Sequence, residues 1–227
     1  KSELLIENLT DDKTDVSNFP WLTHKEINLC NEKCRVLKVS YAGEKGFEIH
    51  IANNSMSKVY NELIKFGENY DLVHFGMLAL DSMRLEKNYR SWKSDLTSDY
   101  SILQSGLDRW INFSKESFIG KEALTRESEI GVTKKFVTLV VDDPEDNKAF
   151  GEPVYLSPVF AGDKYLGPVV SSGYGHRVKK SISMAILDDR NLDGLNDQLH
   201  IDVLGRKRKA HIVKEALYDP ENNRLRS

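Results

Sequence analysis

The chain has little cysteine, little net charge and no long apolar run. Cys30 and Cys34 are the only two cysteines in 227 residues. A disulfide scaffold of this size would carry more, so a reducing compartment is expected. The C-x-x-x-C spacing would need further soft ligands nearby to hold a metal, and none is close in sequence, so no metal is expected. No stretch approaches the roughly 18 apolar residues that span a bilayer, and the chain opens on Lys1-Ser2-Glu3 without a leader pattern. Neither a membrane association nor a signal peptide is expected, which fits the cytoplasm, or the mitochondrial matrix in a eukaryote. The missing initiator methionine fits a processed or truncated piece. Net charge is −3, and no long block of one sign occurs. Phosphate backbones need a concentrated basic surface, so nucleic acid is not an expected partner. The one basic run, Arg206-Lys207-Arg208-Lys209, reads as a solvated turn between strands. No G-x-S-x-G, H-E-x-x-H, Walker-type loop or G-x-G-x-x-G after a strand is present. The groups on offer suit binding rather than a self-contained acid/base reaction.

What is present divides into two characters. Residues 1–33 read as an irregular lead-in with a short helix at Lys1–Asn8, a polar turn at Asp11-Asp12-Lys13-Thr14-Asp15 and a compact apolar Phe19-Pro20-Trp21-Leu22. Arg35–Tyr41 and Phe47–Ala52 read as strands, with Gly43 and Gly46 between them. Asn54–Gly67, His74–Lys87 and Ser117–Glu129 read as helices; Met56, Val59, Tyr60 and Leu63 have helical spacing in the first, and Met77, Leu80 and Leu85 are among the apolar positions of the second. After Gly131, six short strands are expected: Phe136–Val141, Pro153–Leu156, Tyr165–Ser172, Ser181–Leu187, Gln198–Val203 and Lys209–Ala216. Turns separate them at Asp142-Asp143-Pro144, Ala161-Gly162-Asp163, Asp193-Gly194-Leu195-Asn196 and Leu204-Gly205-Arg206. That spacing predicts a small antiparallel barrel or sandwich. The fold class is α+β, with one region at 1–132 and a second at 133–227.

Several residues are candidates for a site. With a turn centred between Glu44 and Lys45, Tyr41 and Glu48 oppose each other and project from one face. A carboxylate accepts two hydrogen bonds from an amidine-like edge, such as a pterin offers, while a phenol stacks or donates. The alternative is an ordinary hairpin pair. Arg84, one turn beyond Leu80, either points inward toward an acceptor, a ligand oxygen included, or pairs on the surface with Asp81. Trp92 and Trp110 lie in loop-rich segments, where aromatics wall flat ligands or simply fill a core. His176, in a glycine-bounded turn, reads as a turn histidine at an interdomain contact, with a site residue as the alternative.

Six segments, in order, resemble the folate-binding aminomethyltransferase family, which includes the glycine cleavage T-protein and the C-terminal halves of dimethylglycine and sarcosine dehydrogenases. They are Val39 through Glu48; Gly76 through Asp81-Ser82-Met83-Arg84-Leu85-Glu86-Lys87; Arg90-Ser91-Trp92; Ser117-Phe118-Ile119-Gly120-Lys121-Glu122-Ala123-Leu124; Ser171-Ser172-Gly173-Tyr174-Gly175-His176; and Asp219-Pro220 through Arg224-Leu225-Arg226. The Arg-Ser-Trp and the terminal segment look more like the dehydrogenase branch.

The resemblance implies a partial ferredoxin-like folate-binding region followed by a C-terminal antiparallel β-barrel. It implies Tyr41 and Glu48 as pterin contacts, Arg84 as a folate contact, and Trp92 and Trp110 as aromatic walls. The reaction it implies moves a one-carbon unit from an amine to tetrahydrofolate. The family's catalytic aspartate lies in an N-terminal half with no counterpart here, so a missing N-terminal half or a partner chain is expected, together with a small N-methylated amine as substrate. FAD is implied only for an upstream part. The alternatives are a free-standing T-protein or folate-dependent methyltransferase, and a non-catalytic folate-binding or interaction module. One position departs from the pattern: where the family has Gly after the Trp, this chain has Lys93, which is strained if the backbone there needs a positive φ.

Overall fold

The computed structural model describes residues 1–10, 16, 19–142, 151–188 and 192–226. They form two compact units, Lys1–Leu80 with Asp219–Ser227, and Asp81–Tyr218.

The first unit carries α1 (Ser2–Leu9), β1 (His24–Leu29), β2 (Glu32–Leu37), β3 (Glu48–Ile51), α2 (Asn53–Gly67) and the start of α3 (Met77–Glu86). The strands form an antiparallel sheet in the order β1-β2-β3. β1 lies in the stretch expected to be irregular. Its only apolar residues are Ile27 and Leu29, but their two-residue spacing puts both on one buried face. Cys30 and Asn31, at φ 55° and 62°, make the two-residue turn into β2. Positive φ at both central residues matches the right-handed twist of the flanking strands. Cys34 and Val36 continue the inward face, and Leu5, Ile6 and Leu9 of α1 pack with them and with Val59 of α2. Each fully buried Leu or Ile stabilises this core by roughly 1.5–3 kcal/mol relative to exposure. Burial raises the pKa of the Cys34 thiol.

The expected apolar stripe of α2 is only partly used: Val59 is buried and Leu63 half-buried, while Met56 and Tyr60 are exposed. Beyond α2, every residue from Val73 to Ala79 is exposed.

The second unit contains α4 (Lys121–Ile130), β4 (Lys134–Val141), β5 (Pro158–Ala161), β6 (Lys164–Gly175), β7 (Lys180–Asp188), β8 (Leu199–Val203) and β9 (Arg206–Val213). The six strands close into an antiparallel barrel in the order β4-β7-β6-β5-β8-β9. Val137, Leu139, Val159, Ala185, Leu187 and Ile201 fill the interior. On the outside of β4, β6 and β7, Leu85 of α3 packs with Phe136, Val170, Ile182, Met184 and Ile186. These strands are covered on both faces, which is why they read as nearly continuous apolar runs. After the barrel the chain returns to the first unit, where α5 (Asn223–Arg226) buries Leu225.

The α+β class and the C-terminal barrel agree with the sequence, but several local expectations do not. Pro153–Leu156 is not a strand: Val154, Tyr155 and Leu156 are exposed, Leu156 has φ 69°, and the strand begins at Pro158. The helix expected from Ser117 begins at Lys121, because Gly120 precedes it at φ 89°. The basic run is not wholly solvated. Arg208 is buried and donates to the carbonyl oxygens of Asp142 and Gly151, at 2.8 and 3.0 Å. The turns expected at Asp11–Asp15 and at Asp143-Pro144 lie outside the described residues.

Candidate functional site

The segment carrying Tyr41 and Glu48 is not the tight hairpin expected. β2 ends at Leu37, and Leu37, not Tyr41, stands opposite Glu48. Residues 38–47 form a loop between the two strands. The physical reason lies in two lysines. Lys38 is buried and its Nζ is 3.1 Å from Oε1 of Glu3; Lys45 Nζ is 2.7 Å from Oε2 of the same carboxylate. The hydroxyl of Ser2 donates to the carbonyl of Lys45 at 3.2 Å. Both ends of the loop are thus drawn onto α1 rather than zipped into the sheet. Burial pushes the Glu3 carboxyl up, but Lys45 and Lys38 outweigh it and hold its pKa below the ordinary glutamate value. Tyr41 sits half-buried in this loop. Glu48 begins β3 with its carboxylate exposed, 3.5 Å from His50 Nε2. An exposed carboxylate at a strand end still has both oxygens for a two-donor edge.

Arg84 does point inward, and it finds its acceptors in the protein. Its side chain is 3% exposed. Nε donates to Asp81 at 2.8 Å, Nη1 to Asp95 at 2.6 Å and to the carbonyl of Tyr89 at 3.1 Å, and Nη2 to the hydroxyl of Ser171 at 2.8 Å. Both sequence alternatives hold in part, since the Asp81 pair forms and the guanidinium is buried. Asp95 is not among the residues the sequence marks for the site. The signal was that an inward Arg84 requires a buried acceptor, and Asp95 is an acidic residue eleven positions on.

Its neighbours on α3 are equally committed. Leu85 enters the apolar cluster outside the barrel. Glu86, also buried, accepts the backbone N–H groups of Arg177 and Val178 at 2.7 and 3.2 Å and the Arg177 Nε at 2.6 Å. The Arg177 guanidinium lies 4.0 Å from the centre of the Tyr218 ring. Although burial works against it, the bonds to Glu86 and Tyr218 raise the Arg177 pKa.

Trp92 and Trp110 are not core residues: they are 76% and 64% exposed. Trp92 rides a closed loop in which Asp95 and Leu96 both donate to the carbonyl of Ser91, at 3.0 and 3.2 Å, and Lys93 donates to that of Leu96 at 3.1 Å. Lys93 has φ 75°. The position filled by Gly in the family pattern does adopt a left-handed backbone here, so Lys93 carries the strain its side chain predicts. Trp110 ends a short 3-10 turn, Asp108–Trp110, with the Arg109 guanidinium 5.1 Å from its ring centre. His176 lies exposed in the β6–β7 turn, edge-on to Tyr174 with ring centres 5.2 Å apart. No cluster of three or more His, Cys, Asp or Glu suited to a metal occurs among the described residues. An open groove of about 600 Å³ runs along α4 past Phe118, Lys121 and Arg126, and none of the predicted site residues lines it.

Residues 1–115 match the GCVT N-terminal domain, and residues 134–219 match the glycine cleavage T-protein C-terminal barrel domain. The chain belongs to the glycine cleavage T-protein family. Its similarity to an aminomethyltransferase of Alkaliphilus oremlandii is 31% identity over 220 residues, 96% of this chain and 57% of the relative. A mitochondrial dimethylglycine dehydrogenase of Mus musculus is 27% identical over 227 residues, 98% of this chain and 25% of the relative. A mitochondrial sarcosine dehydrogenase of the same organism is 29% identical over 231 residues. The chain thus spans about half the length of the aminomethyltransferases it matches, and about a quarter of the dehydrogenases. In fold it matches the glycine cleavage system aminomethyltransferase T of Bartonella henselae at a TM-score of 0.80 and 16% identity, over 96% of this chain and 57% of the other. Among the described residues no helix is long and apolar enough to cross a membrane.

Proposed function

We propose that this chain is the C-terminal portion of a tetrahydrofolate-dependent aminomethyltransferase unit, within an FAD-linked dimethylglycine or sarcosine dehydrogenase. The observation that carries the reading is the succession of both family domains along one chain, 1–115 and then 134–219. Residues 1–132 serve as the end of the folate-binding domain and 133–227 as the barrel domain. Glu48 accepts the N3–H and 2-amino donors of the pterin, and Tyr41 stacks or donates beside it. The exposed rings of Trp92 and Trp110 offer flat apolar surfaces to a folate. Arg84, with its donors turned onto Asp95 and the carbonyl of Tyr89, serves the ligand by holding the Trp92 loop.

The carboxylate that assists at the reacting nitrogen belongs to a further part of the unit. The run of exposed residues at Val73–Ala79 supports such a part: Val73 is 78%, Phe75 60%, Met77 74% and Leu78 88% exposed. A patch of large apolar residues at this exposure marks a contact surface. The upstream flavin, when bound, supplies the amine oxidation that creates the one-carbon donor. This chain's residues bind and orient the folate that accepts it at N5.

The test is product analysis on the full-length polypeptide with dimethylglycine and tetrahydrofolate. 5,10-Methylenetetrahydrofolate is the expected product. Free formaldehyde alone counts against transfer, and tight folate binding that survives Glu48→Gln sinks the pterin-reading role. A second reading, a free-standing aminomethyltransferase, is favoured by the 31% identity to such a protein. A glycine-rich FAD fingerprint upstream of Lys1 decides for the dehydrogenase, and a short extension without one decides for the second reading.

A further inference from the structure

We infer that Asp95 is a positioning residue that fixes the Trp92 loop for its ligand; this rests on the proposed folate role of Trp92. Asp95 is fully buried. Its Oδ2 accepts from Arg84 Nη1 at 2.6 Å and from the backbone N–H of Ser91 at 2.7 Å, while the Ser171 hydroxyl donates to Oδ1. Ser171 belongs to β6, and Arg84 to the buried end of α3. One carboxylate therefore ties two rigid elements to the amide immediately before Trp92. The backbone of Asp95 closes the other side of the loop, donating to the carbonyl of Ser91 at 3.0 Å.

Two observations mark the loop as held against its own preferences. Trp92 is 76% exposed although the anchor beneath it is buried. Lys93 is kept at φ 75°, a conformation that a residue with a side chain leaves unless its surroundings enforce it. A buried, multiply bonded carboxylate under an exposed aromatic is the arrangement by which a rigid element sets the aim of a contact residue on a loop. Arg84 then acts on the folate through Asp95 and Trp92, and the aromatic is delivered in one orientation instead of being ordered at the moment of binding.

The test uses the full-length polypeptide with Asp95→Asn and Trp92→Ala, singly and together. The dissociation constant of 5-formyltetrahydrofolate and the amide exchange of residues 89–97 are the readouts. Asp95→Asn is expected to weaken binding by roughly 10-fold, the loss of about one charge-assisted contact. In the Trp92→Ala background its effect should fall below about 2-fold, because the two residues act as one unit. Exchange should rise at residues 91–96 while β6 and β7 keep their protection. An equal loss of affinity in both backgrounds, or unchanged exchange at 91–96, overturns the inference. Where Asp95→Asn also exposes β6 and β7, Ser171→Ala takes its place: the same pattern at about 3-fold supports the inference, and no change in either readout overturns it. If the wild-type protein does not bind the folate, the proposed function falls, and the exchange of residues 91–96 alone decides whether Asp95 holds the loop.

Discussion

The two ends of α3 invert the usual pattern of a soluble helix. Its start, Met77-Leu78, is apolar and exposed; its end, Arg84-Leu85-Glu86, holds two charged residues and is buried. Taken one by one, each end looks like an error. Together they separate two kinds of constraint in one family motif. The buried charges are fully partnered inside this chain, so Arg84 and Glu86 answer to the fold around them. The exposed apolar residues have no such account among the described residues, and under the proposed function they are the surface that a further part of the unit covers.

The sharpest way to break this contrast is Arg84→Met. It leaves Asp95 buried without its cation, and removing one partner of a buried pair costs about 3–5 kcal/mol. Urea unfolding should show that loss, and a change under about 1 kcal/mol would mean that the cluster adds little to the fold. Lys93→Gly should act in the opposite direction. The left-handed backbone costs a side-chain residue about 1–2 kcal/mol, and glycine's larger unfolded-state entropy takes back part of the relief. A net gain of about 0.5 kcal/mol is expected in the same assay, and a loss would show that Lys93 earns its place through contacts.

The Glu3 bridge predicts a pH dependence. Its carboxyl pKa is lower in the folded protein than in the unfolded chain. Stability from Glu3 is therefore present above the ordinary glutamate value and lost as pH falls through the depressed folded one. Thermal unfolding between pH 7 and pH 3 should show a shallower decline for Glu3→Gln than for wild type, and parallel curves would remove the bridge as a cause. The smallest effect belongs to the exposed end of α3. Leu78→Glu should change the stability of this chain by less than about 0.5 kcal/mol, as surface substitutions do. In the full-length polypeptide the same change should lower the unfolding temperature measurably, and equal behaviour in both would mean that nothing covers Leu78.

Much of the fold was legible because it is carried by local patterns. β4, β6, β7, β8 and β9 coincide with runs read from β-branched residues and turn glycines, and α2 with a helical stripe. The failures share one cause, which is that backbone sign and long-range pairing leave little trace in composition. Val154-Tyr155-Leu156 has strand-like residues, but Leu156 sits at positive φ and ends the run. The helix pattern from Ser117 includes Gly120, whose left-handed backbone instead precedes the helix. A two-residue turn would set Tyr41 opposite Glu48, but Glu3, far upstream, captures Lys38 and Lys45 and leaves Leu37 in that place. In the site, the inward turn of Arg84 is one of two readings the sequence leaves open, and the Asp81 bond of the other forms as well; the strain at Lys93 is legible only through the glycine of the family pattern. Asp95 is not legible, because a buried acceptor is recognised only when its donor is seen to face it.

Barrel closure has a consequence for how this chain reaches its native state. β4, at residues 134–141, pairs on one side with β7 and on the other with β9, which ends at Val213. The first strand of the barrel therefore waits for the last. A ribosome-bound chain must expose one edge of β4 until β9 has emerged, and such non-local closure is slow and open to edge-to-edge pairing. Truncation before Arg206 would leave β4 and β8 each with an unpaired edge, turning a closed barrel into a template for aggregation.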